Sequence, residues 1–234
     1  MLKVYEHIKV IGFDADDTLW VNETYFREAE VEFGKLLSEY ETINTIDQEL
    51  FKKEIDNLPL YGYGVKAFVL SMVESALEQS NFNVSTKTIQ SILQIGKDML
   101  NKPVELLDGV EEVLEVLSKK YRLILATKGD LLDQERKLEK SGLTKYFHHI
   151  EVLSEKREGN YSKLLNHLDI KPSEFLMIGN SLKSDVLPLV NLKAHAIHVP
   201  FHTTWVHEQV TEQETNGKTY KTINSLRDLL KLLN

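Results

Sequence analysis

The sequence lacks cysteine entirely, which excludes disulfides, a thiolate nucleophile and Cys-ligated zinc. It has no apolar run near the ~18 residues that a membrane-spanning helix needs, and residues 1–10 lack the apolar segment of a signal peptide. These absences favour a soluble, unexported protein, and we expect a cytoplasmic location. Basic residues are also in deficit, with 28 Lys and Arg against 36 Asp and Glu and a net charge of −8. That charge disfavours nucleic acid and anionic membranes as partners.

Short apolar runs alternate with helix-period stretches along most of the 234 residues. Each run is rich in β-branched or large apolar residues, and the first stops abruptly at acidic residues, the pattern of a buried strand that ends in a loop. The runs are residues 8–13, 123–126, 150–153, 175–178 and 196–199. A helix-period face covers 110–117, and the Asn-Ser pair at 224–225 predicts the start of a last helix that runs to 233. This alternation predicts an α/β fold with a mostly parallel sheet covered on both faces.

Residues 21–103 differ from the rest of the chain because they contain helical patterns and no convincing strand. Stripes of apolar residues at helical spacing cover 68–76 and 89–96, and Pro103 marks a break. We therefore predict a core domain made of residues 1–20 and 104–234, with an all-helical domain inserted at 21–103. The alternative is that these helices simply cover the sheet as a long crossover connection.

Polar side chains follow the predicted strands where each one ends. The residues are Asp14, Asp16 and Asp17 after the first run; Thr127, Lys128 and Asp130 after the second; Lys156 after 150–153; and Asn180, Ser184 and Asp185 after 175–178. In a parallel sheet the carboxyl ends of the strands share one edge, where ligands bind. We expect these side chains to form one site there.

A cluster of carboxylates without cysteine predicts a hard cation, because crowded carboxylates repel one another and oxygen ligands select Mg²⁺ over zinc. Asp14 and Asp185 are the candidate carboxylate ligands. The Thr127 hydroxyl and Lys156 are then placed to hold phosphate oxygens. Asp14 and Asp16 are two residues apart, so one of them can attack phosphorus while the other protonates the leaving oxygen and later activates water.

Four segments in order resemble the motifs of the haloacid dehalogenase (HAD) superfamily. They are residues 14–19 (Asp-Ala-Asp-Asp-Thr-Leu), 123–127 (Leu-Ile-Leu-Ala-Thr), 154–156 (Ser-Glu-Lys) and 179–185 (Gly-Asn-Ser-Leu-Lys-Ser-Asp). The similarity extends over residues 8–200. It implies a Rossmann-like three-layer α/β/α core with an inserted helical cap of the C1 type, and a place in the phosphatase branch of the superfamily.

The resemblance also implies a role for each matching residue. Asp14 is expected to be the nucleophile and a metal ligand. Asp16 is expected to be the general acid and base, with its backbone carbonyl on the metal. Thr127 and Lys156 are expected to bind phosphate, and Asp185 to bind Mg²⁺. The expected reaction is Mg²⁺-dependent hydrolysis of a small phosphorylated metabolite through an aspartyl-phosphate intermediate.

Two positions depart from the pattern of the family. Asn180 stands where many relatives have an acid, so we expect weaker metal affinity, with Asn180 and Ser184 beside the metal ligands rather than on the metal. Lys156 is not followed by proline, which leaves Lys163 and Lys128 as rivals for the phosphate contact. Lys128 is kept with Thr127 and Lys156 as a candidate phosphate ligand.

Other functions and plainer explanations remain open from the sequence. A dehalogenase of the same fold needs no acid at Asp16 and no Mg²⁺, a phosphomutase shares the core, and a lapsed metal-binding module keeps the fold without the reaction. Asp17 is better explained as a cap or as a solvated loop residue, and Asp130 as the N-cap of the helix that begins near Leu131. The sequence indicates neither the substrate nor the oligomeric state.

Overall fold

The computed structural model describes residues 5–233, and its centre is one six-stranded sheet. The strands are β1 Val10–Phe13, β2 Arg122–Thr127, β3 His149–Val152, β4 Phe175–Gly179, β5 His195–His198 and β6 Lys221–Thr222. They lie in the order β3-β2-β1-β4-β5-β6, and every pair of neighbours is parallel. The predicted α/β fold is confirmed, and its sheet is parallel throughout the described residues.

Helices connect the strands, form the long insertion after β1 or follow the last strand. They are α1 Glu23–Leu37, α2 Ile43–Tyr61, α3 Val65–Gln79, α4 Thr86–Asn101, α5 Val110–Leu117, α6 Leu131–Lys140, α7 Glu158–His167, α8 Leu187–Asn191, α9 Glu212–Thr215 and α10 Asp228–Leu232. A π-helical turn, Leu182–Val186, runs directly into α8. Within the described residues no helix combines the length and apolar character that crossing a membrane requires.

Alternate residues of the strands face two separate hydrophobic clusters, because successive side chains of a strand point to opposite faces. In β2, Leu123 and Leu125 pack in one cluster with residues of α5 and α10, whereas Ile124 and Ala126 pack in the other with residues of α7. Both faces of the sheet are therefore covered by helices, which gives the predicted three-layer core.

By contacts between Cα atoms the chain divides into two units. The sheet unit comprises the described parts of Met1–Glu23, Val104–Lys128 and Gln134–Asn234, and the helical unit comprises Thr24–Pro103 and Gly129–Asp133. The helical unit has its own core, in which Phe33, Leu50, Phe68, Met72 and Ile92 are buried. The predicted core segments 1–20 and 104–234 include residues 1–4 and 234, which lie outside the described residues.

The predicted last helix begins later than expected. Residues 225–227 form a tight turn in which the Asp228 amide donates to the Ser225 carbonyl at 3.0 Å, and α10 starts only at Asp228. The Ser225 hydroxyl accepts from the Arg227 amide at 3.3 Å, so it stabilises this turn rather than capping a helix. The prediction that the helix starts at 224–225 was wrong for this reason. Similarly, β1 starts at Val10 and not at residue 8.

Candidate active site

The chain after β1 turns sharply as soon as the strand ends. Asp14 still extends the sheet, because its amide donates to the Ile178 carbonyl of β4 at 2.8 Å. The Leu19 amide then donates to the Ala15 carbonyl at 2.8 Å, which closes a turn over the acidic residues. Asp17 has a φ of 62°, and its carboxylate accepts from the amides of Asn22 and Glu23 at the start of α1. Asp17 is thus a helix cap, as predicted.

The Lys156 ammonium joins the carboxylates that come after β1 and β4. Its Nζ donates to Asp14 Oδ1 at 2.5 Å and to Asp185 Oδ1 at 2.7 Å. The three side chains are only 2%, 9% and 1% exposed, in the order Lys156, Asp14 and Asp185. Lys163, by contrast, is exposed on α7. The structure therefore brings Lys156, and not Lys163, against Asp14.

Burial and charge act in opposite directions on this pair. The pKa of the Asp14 carboxyl is raised to about 7, because burial and the Asp185 charge raise it by more than the Lys156 ammonium lowers it. Burial also disfavours the charged form of Lys156, but Asp14 and Asp185 outweigh it and hold the pKa of the ammonium well above its ordinary value. Additional positive charge near Asp14 would favour its ionised, nucleophilic form.

Asp185 is held close to the end of β4 by backbone contacts. Its Oδ2 accepts from the Ser181 amide at 3.0 Å, and its own amide donates to the Ser181 carbonyl at 2.8 Å within the π-helical turn. A side chain at Gly179 would overlap Asp185 Oδ2, since a Cβ built there meets this oxygen first. Glycine at 179 therefore leaves the space that the Asp185 carboxylate occupies.

Asn180 reaches Asp14 through the Thr18 hydroxyl. Thr18 Oγ1 lies 3.3 Å from Asp14 Oδ2 and 3.3 Å from Asn180 Oδ1, so its single proton can be donated to either oxygen. Thr18 is 1% exposed. The Thr18 hydroxyl thus lies between Asn180 and the Asp14 carboxylate.

The Asp16 side chain has a different set of partners. Its Oδ1 accepts from Trp20 Nε1 at 2.7 Å and from Lys137 Nζ at 2.6 Å, and its Oδ2 accepts from Gln134 Nε2 at 2.9 Å. Both carboxylate oxygens are therefore engaged. Gln134 and Lys137 lie three residues apart in α6, on the part of that helix that belongs to the sheet unit.

Thr127 and Lys128 stand at the end of β2. The Thr127 hydroxyl is buried and donates to the Lys128 carbonyl at 3.2 Å. Lys128 Nζ donates to Glu208 Oε1 at 2.6 Å and to Ser184 Oγ at 3.0 Å, and its side chain is 14% exposed. Asp130 caps α6 as predicted, by accepting from the Asp133 amide at 3.1 Å.

Glu208 closes a buried cluster around the Lys128 ammonium. Its Oε2 accepts from Ser181 Oγ at 2.5 Å and from Ser184 Oγ at 2.6 Å. Burial raises its pKa, but the Lys128 charge and the hydrogen bonds from Lys128, Ser181 and Ser184 outweigh this and lower it to about 2. Glu208 is therefore an anion that ties Lys128 to the turn carrying Ser184.

The donor set around Asp14 consists of carboxylate oxygens, which fit a hard cation such as Mg²⁺. No group of three or more His, Cys, Asp or Glu side chains in residues 5–233 could hold a metal. Mg²⁺ needs only one or two carboxylates, because it keeps waters and substrate oxygens as its other ligands. Asp14 and Asp185 supply two carboxylates side by side, and the space at Gly179 accommodates one of them.

Five residues with close contacts to the site were missed by the sequence analysis as functional positions. They are Thr18, Trp20, Gln134, Lys137 and Glu208. Polar residues three apart on the helix after the second motif were a usable signal for Gln134 and Lys137, since such residues share a face. Glu208 gives no comparable signal, because it contacts Lys128 across 80 positions of sequence.

Comparison with known proteins decides the family. Residues 8–192 match the hydrolase family described as haloacid dehalogenase-like. The chain belongs to the haloacid dehalogenase-like hydrolases. Enzymes of this superfamily are generally Mg²⁺-dependent. The predicted family and the prediction that the protein is a hydrolase are confirmed.

Three relatives illustrate the similarity. A haloacid dehalogenase-like family hydrolase from Xanthomonas campestris is 36% identical with a TM-score of 0.85, over 97% of this chain and 92% of that one. N-acylneuraminate-9-phosphatase from Homo sapiens is 23% identical over 238 residues, which cover 97% of this chain and 94% of the human one. The HAD hydrolase YfnB from Bacillus subtilis is 18% identical with a TM-score of 0.64, over 98% of this chain and 100% of that one, and shows the same fold.

Proposed function

We propose that this HAD-like hydrolase is a Mg²⁺-dependent phosphomonoesterase that forms an aspartyl-phosphate on Asp14. The observation that carries the proposal is the contact of the Lys156 ammonium with both Asp14 and Asp185, at 2.5 and 2.7 Å, where β1 and β4 end. A buried cation between two carboxylates is suited to attract a phosphate dianion to the nucleophile. The curated relative named as a phosphatase adds support for this type of reaction.

In the first half-reaction Asp14 attacks phosphorus and the bond from phosphorus to the leaving oxygen breaks. Asp16 donates a proton to that oxygen, so the product leaves as an alcohol. Thr127 and Lys156 hold the phosphoryl oxygens. Lys128 is the less supported candidate for this contact, because Glu208 and Ser184 already engage its ammonium.

In the second half-reaction a water molecule attacks phosphorus while Asp16 takes its proton. The bond between phosphorus and Asp14 breaks, which releases phosphate and restores both carboxyl groups. The carboxylates of Asp14 and Asp185 and the backbone carbonyl of Asp16 would hold Mg²⁺, with Asn180 and Ser184 beside them. Bound there, Mg²⁺ would neutralise charge on the carboxylates and the phosphoryl oxygens.

A small phosphorylated metabolite is the proposed substrate. We assign its selection to the inserted helical unit, the cap predicted at residues 21–103. The human relative is named for an N-acylneuraminate 9-phosphate, so a phosphorylated sugar acid is the first compound to test. Phosphoglycolate, other sugar phosphates and nucleoside monophosphates complete the panel, and the substrate is the compound with the highest kcat/KM.

Hydrolysis of p-nitrophenyl phosphate tests the reaction itself. With Mg²⁺ we expect turnover that EDTA abolishes and that Asp14→Asn reduces by at least about a thousandfold, as expected for loss of a nucleophile. Asp16→Asn should slow the reaction while it keeps its affinity for Mg²⁺ in calorimetric titration, because only its backbone carbonyl is a proposed ligand. If wild-type turnover does not exceed that of Asp14→Asn, the proposal fails.

A further inference from the structure

The Asp16 carboxylate is held from three directions by side chains for which the reaction scheme gives no role. Trp20 Nε1, Lys137 Nζ and Gln134 Nε2 lie 2.7, 2.6 and 2.9 Å from its oxygens. Asp16 is partly exposed at 25%, and Lys137 is 17% exposed. A partly exposed carboxylate has no need of three protein donors for its own solvation. The contacts therefore fix its position rather than satisfy a buried charge.

The hydrogen bonds of the Gln134 side chain are all made by its Nε2 amide group, which donates to two acceptors. Its Nε2 donates to Asp16 Oδ2 at 2.9 Å and to the Lys128 carbonyl at 2.8 Å. Gln134 is only 2% exposed, and its Oε1 is buried, yet this oxygen accepts no hydrogen bond from any described residue. Leaving a buried acceptor unpaired carries a desolvation cost that is not recovered by a hydrogen bond. A side chain selected for stability alone would not carry that cost, which points to a role at Asp16.

Lys137 is held in place as well. Its Nζ contacts Asn22 Oδ1 at 3.3 Å in addition to Asp16 Oδ1. Lys137 and Gln134 lie on one face of α6, so a single rigid helix carries donors to both oxygens of the carboxylate. Two donors on a helix are positioned more precisely than two donors on a loop would be.

We propose that Lys137 and Gln134 are positioning residues that hold the Asp16 carboxyl where it exchanges protons with the leaving oxygen and with the attacking water. This inference rests on the proposed phosphatase function. It predicts a specific failure when either donor is lost. Attack by Asp14 and binding of phosphate continue, but proton transfer by a misplaced Asp16 slows, and a misplacement of about 1 Å can cost 10²-fold in rate.

Leaving-group dependence separates this role from a structural one. Phenyl phosphate and p-nitrophenyl phosphate have similar shapes, but only the phenolate of the first needs protonation to depart readily. In Lys137→Met we expect kcat/KM for phenyl phosphate to fall by about 30-fold or more, within the range of general acid catalysis. For p-nitrophenyl phosphate kcat/KM should fall less than about threefold, since this constant reports only steps up to departure of the leaving group.

The second role of Asp16 gives an independent signature. If hydrolysis of the intermediate is slowed, p-nitrophenol should appear in a pre-steady-state burst in Lys137→Met. Gln134→Met should change both readouts in the same direction, and Lys137→Arg should restore part of the activity on phenyl phosphate. Lys140→Met is the matched control, because Lys140 is exposed in the same helix and should behave as the wild type.

Three outcomes would overturn the inference. Equal losses of kcat/KM on both substrates would show a structural role, and unchanged kcat/KM on both substrates in both variants would show no role. The same change in Lys140→Met would show a general effect of charge. Gln134→Met carries the test if Lys137→Met does not fold by circular dichroism. Absence of wild-type turnover on both substrates would instead refute the proposed phosphatase function and this inference together.

Discussion

Lys156 Nζ lies 2.5 Å from Asp14 Oδ1, and both side chains are buried. This pair joins the loop after β3 to the end of β1, and the same ammonium continues to Asp185 after β4. One cation therefore holds together the ends of three strands that are far apart in sequence. The ammonium thus places positive charge against both buried carboxylates.

Loss of this ammonium should cost most of the activity. We predict that Lys156→Met lowers kcat/KM for p-nitrophenyl phosphate by at least about 100-fold, the usual effect of removing one group that stabilises charge in the transition state. Lys163→Met is the matched control and should stay within about twofold, because Lys163 is exposed on α7 and surface substitutions have small effects.

Steady-state kinetics of both variants, with circular dichroism to show that each is folded, checks this prediction. The opposite ranking, with the larger loss in Lys163→Met, would assign the phosphate contact to the other lysine.

A substitution at Gly179 tests whether Asp185 is a Mg²⁺ ligand without replacing any proposed ligand. In Gly179→Ala the new methyl group would overlap Asp185 Oδ2, so the carboxylate must move. We expect Mg²⁺ affinity to fall by about 10–100-fold, the range seen when the residues that orient metal ligands are altered, with a parallel loss of kcat. Calorimetric titration with Mg²⁺ measures the first effect.

Gly159→Ala is the control for that experiment. Nothing lies within 4 Å of a Cβ at Gly159, which is exposed in α7, so this variant should bind Mg²⁺ like the wild type. Unchanged affinity in Gly179→Ala would mean that Asp185 is not a metal ligand.

Much of the site could be predicted because its placement depends on local patterns. The apolar runs identify the strands, and parallel strands bring the residues at their carboxyl ends to one edge of the sheet. Asp14, Thr127 and Asp185 reach that edge at or just after the ends of β1, β2 and β4. Residues that are far apart in the sequence are therefore close together at one edge of the sheet.

The remaining contacts could not be predicted, because they depend on loops and on distant segments. The choice between Lys156 and Lys163 is made by the loop after β3, whose conformation no periodicity specifies. Glu208 belongs to an irregular segment after β5 and reaches Lys128 only in the folded chain. The last helix starts later than predicted because the Ser225 hydroxyl accepts a hydrogen bond from the Arg227 amide. Ser side chains commonly compete with helix formation by bonding to nearby backbone groups in this way.

Asn180 should tune metal affinity without being essential. Its Oδ1 and Asp14 Oδ2 share the Thr18 hydroxyl. An acid at this position adds negative charge near the two candidate ligands, so we predict that Asn180→Asp binds Mg²⁺ about tenfold more tightly, a gain of about 1.4 kcal/mol. Titration with Mg²⁺ checks the direction. Weaker binding in Asn180→Asp would indicate that repulsion among three carboxylates dominates.

Glu208 should stabilise the fold in a pH-dependent way. Its pKa of about 2 lies below the ordinary value of 4.5, so the folded state favours the ionised form. The resulting stability is fully present above pH 4.5 and is lost as the pH falls toward 2. The difference between these values corresponds to an upper limit of roughly 3–4 kcal/mol. We therefore predict that Glu208→Gln lowers the free energy of unfolding by about 1–3 kcal/mol at pH 7.

Urea unfolding at about pH 7 and at about pH 3.5 separates charge from packing, because only the charge contribution shrinks between these values. The destabilisation by Glu208→Gln should therefore be smaller at the lower pH, and Glu135→Gln, at an exposed position of α6, should have little effect at either.

Lys128→Met, alone and combined with Glu208→Gln, completes a double-mutant cycle at neutral pH. If the ion pair at 2.6 Å is the source of the stability, the coupling energy should be about 1–3 kcal/mol. A coupling near zero would assign the loss to the hydrogen bonds from Ser181 and Ser184 instead, and a destabilisation that does not change with pH would assign it to packing.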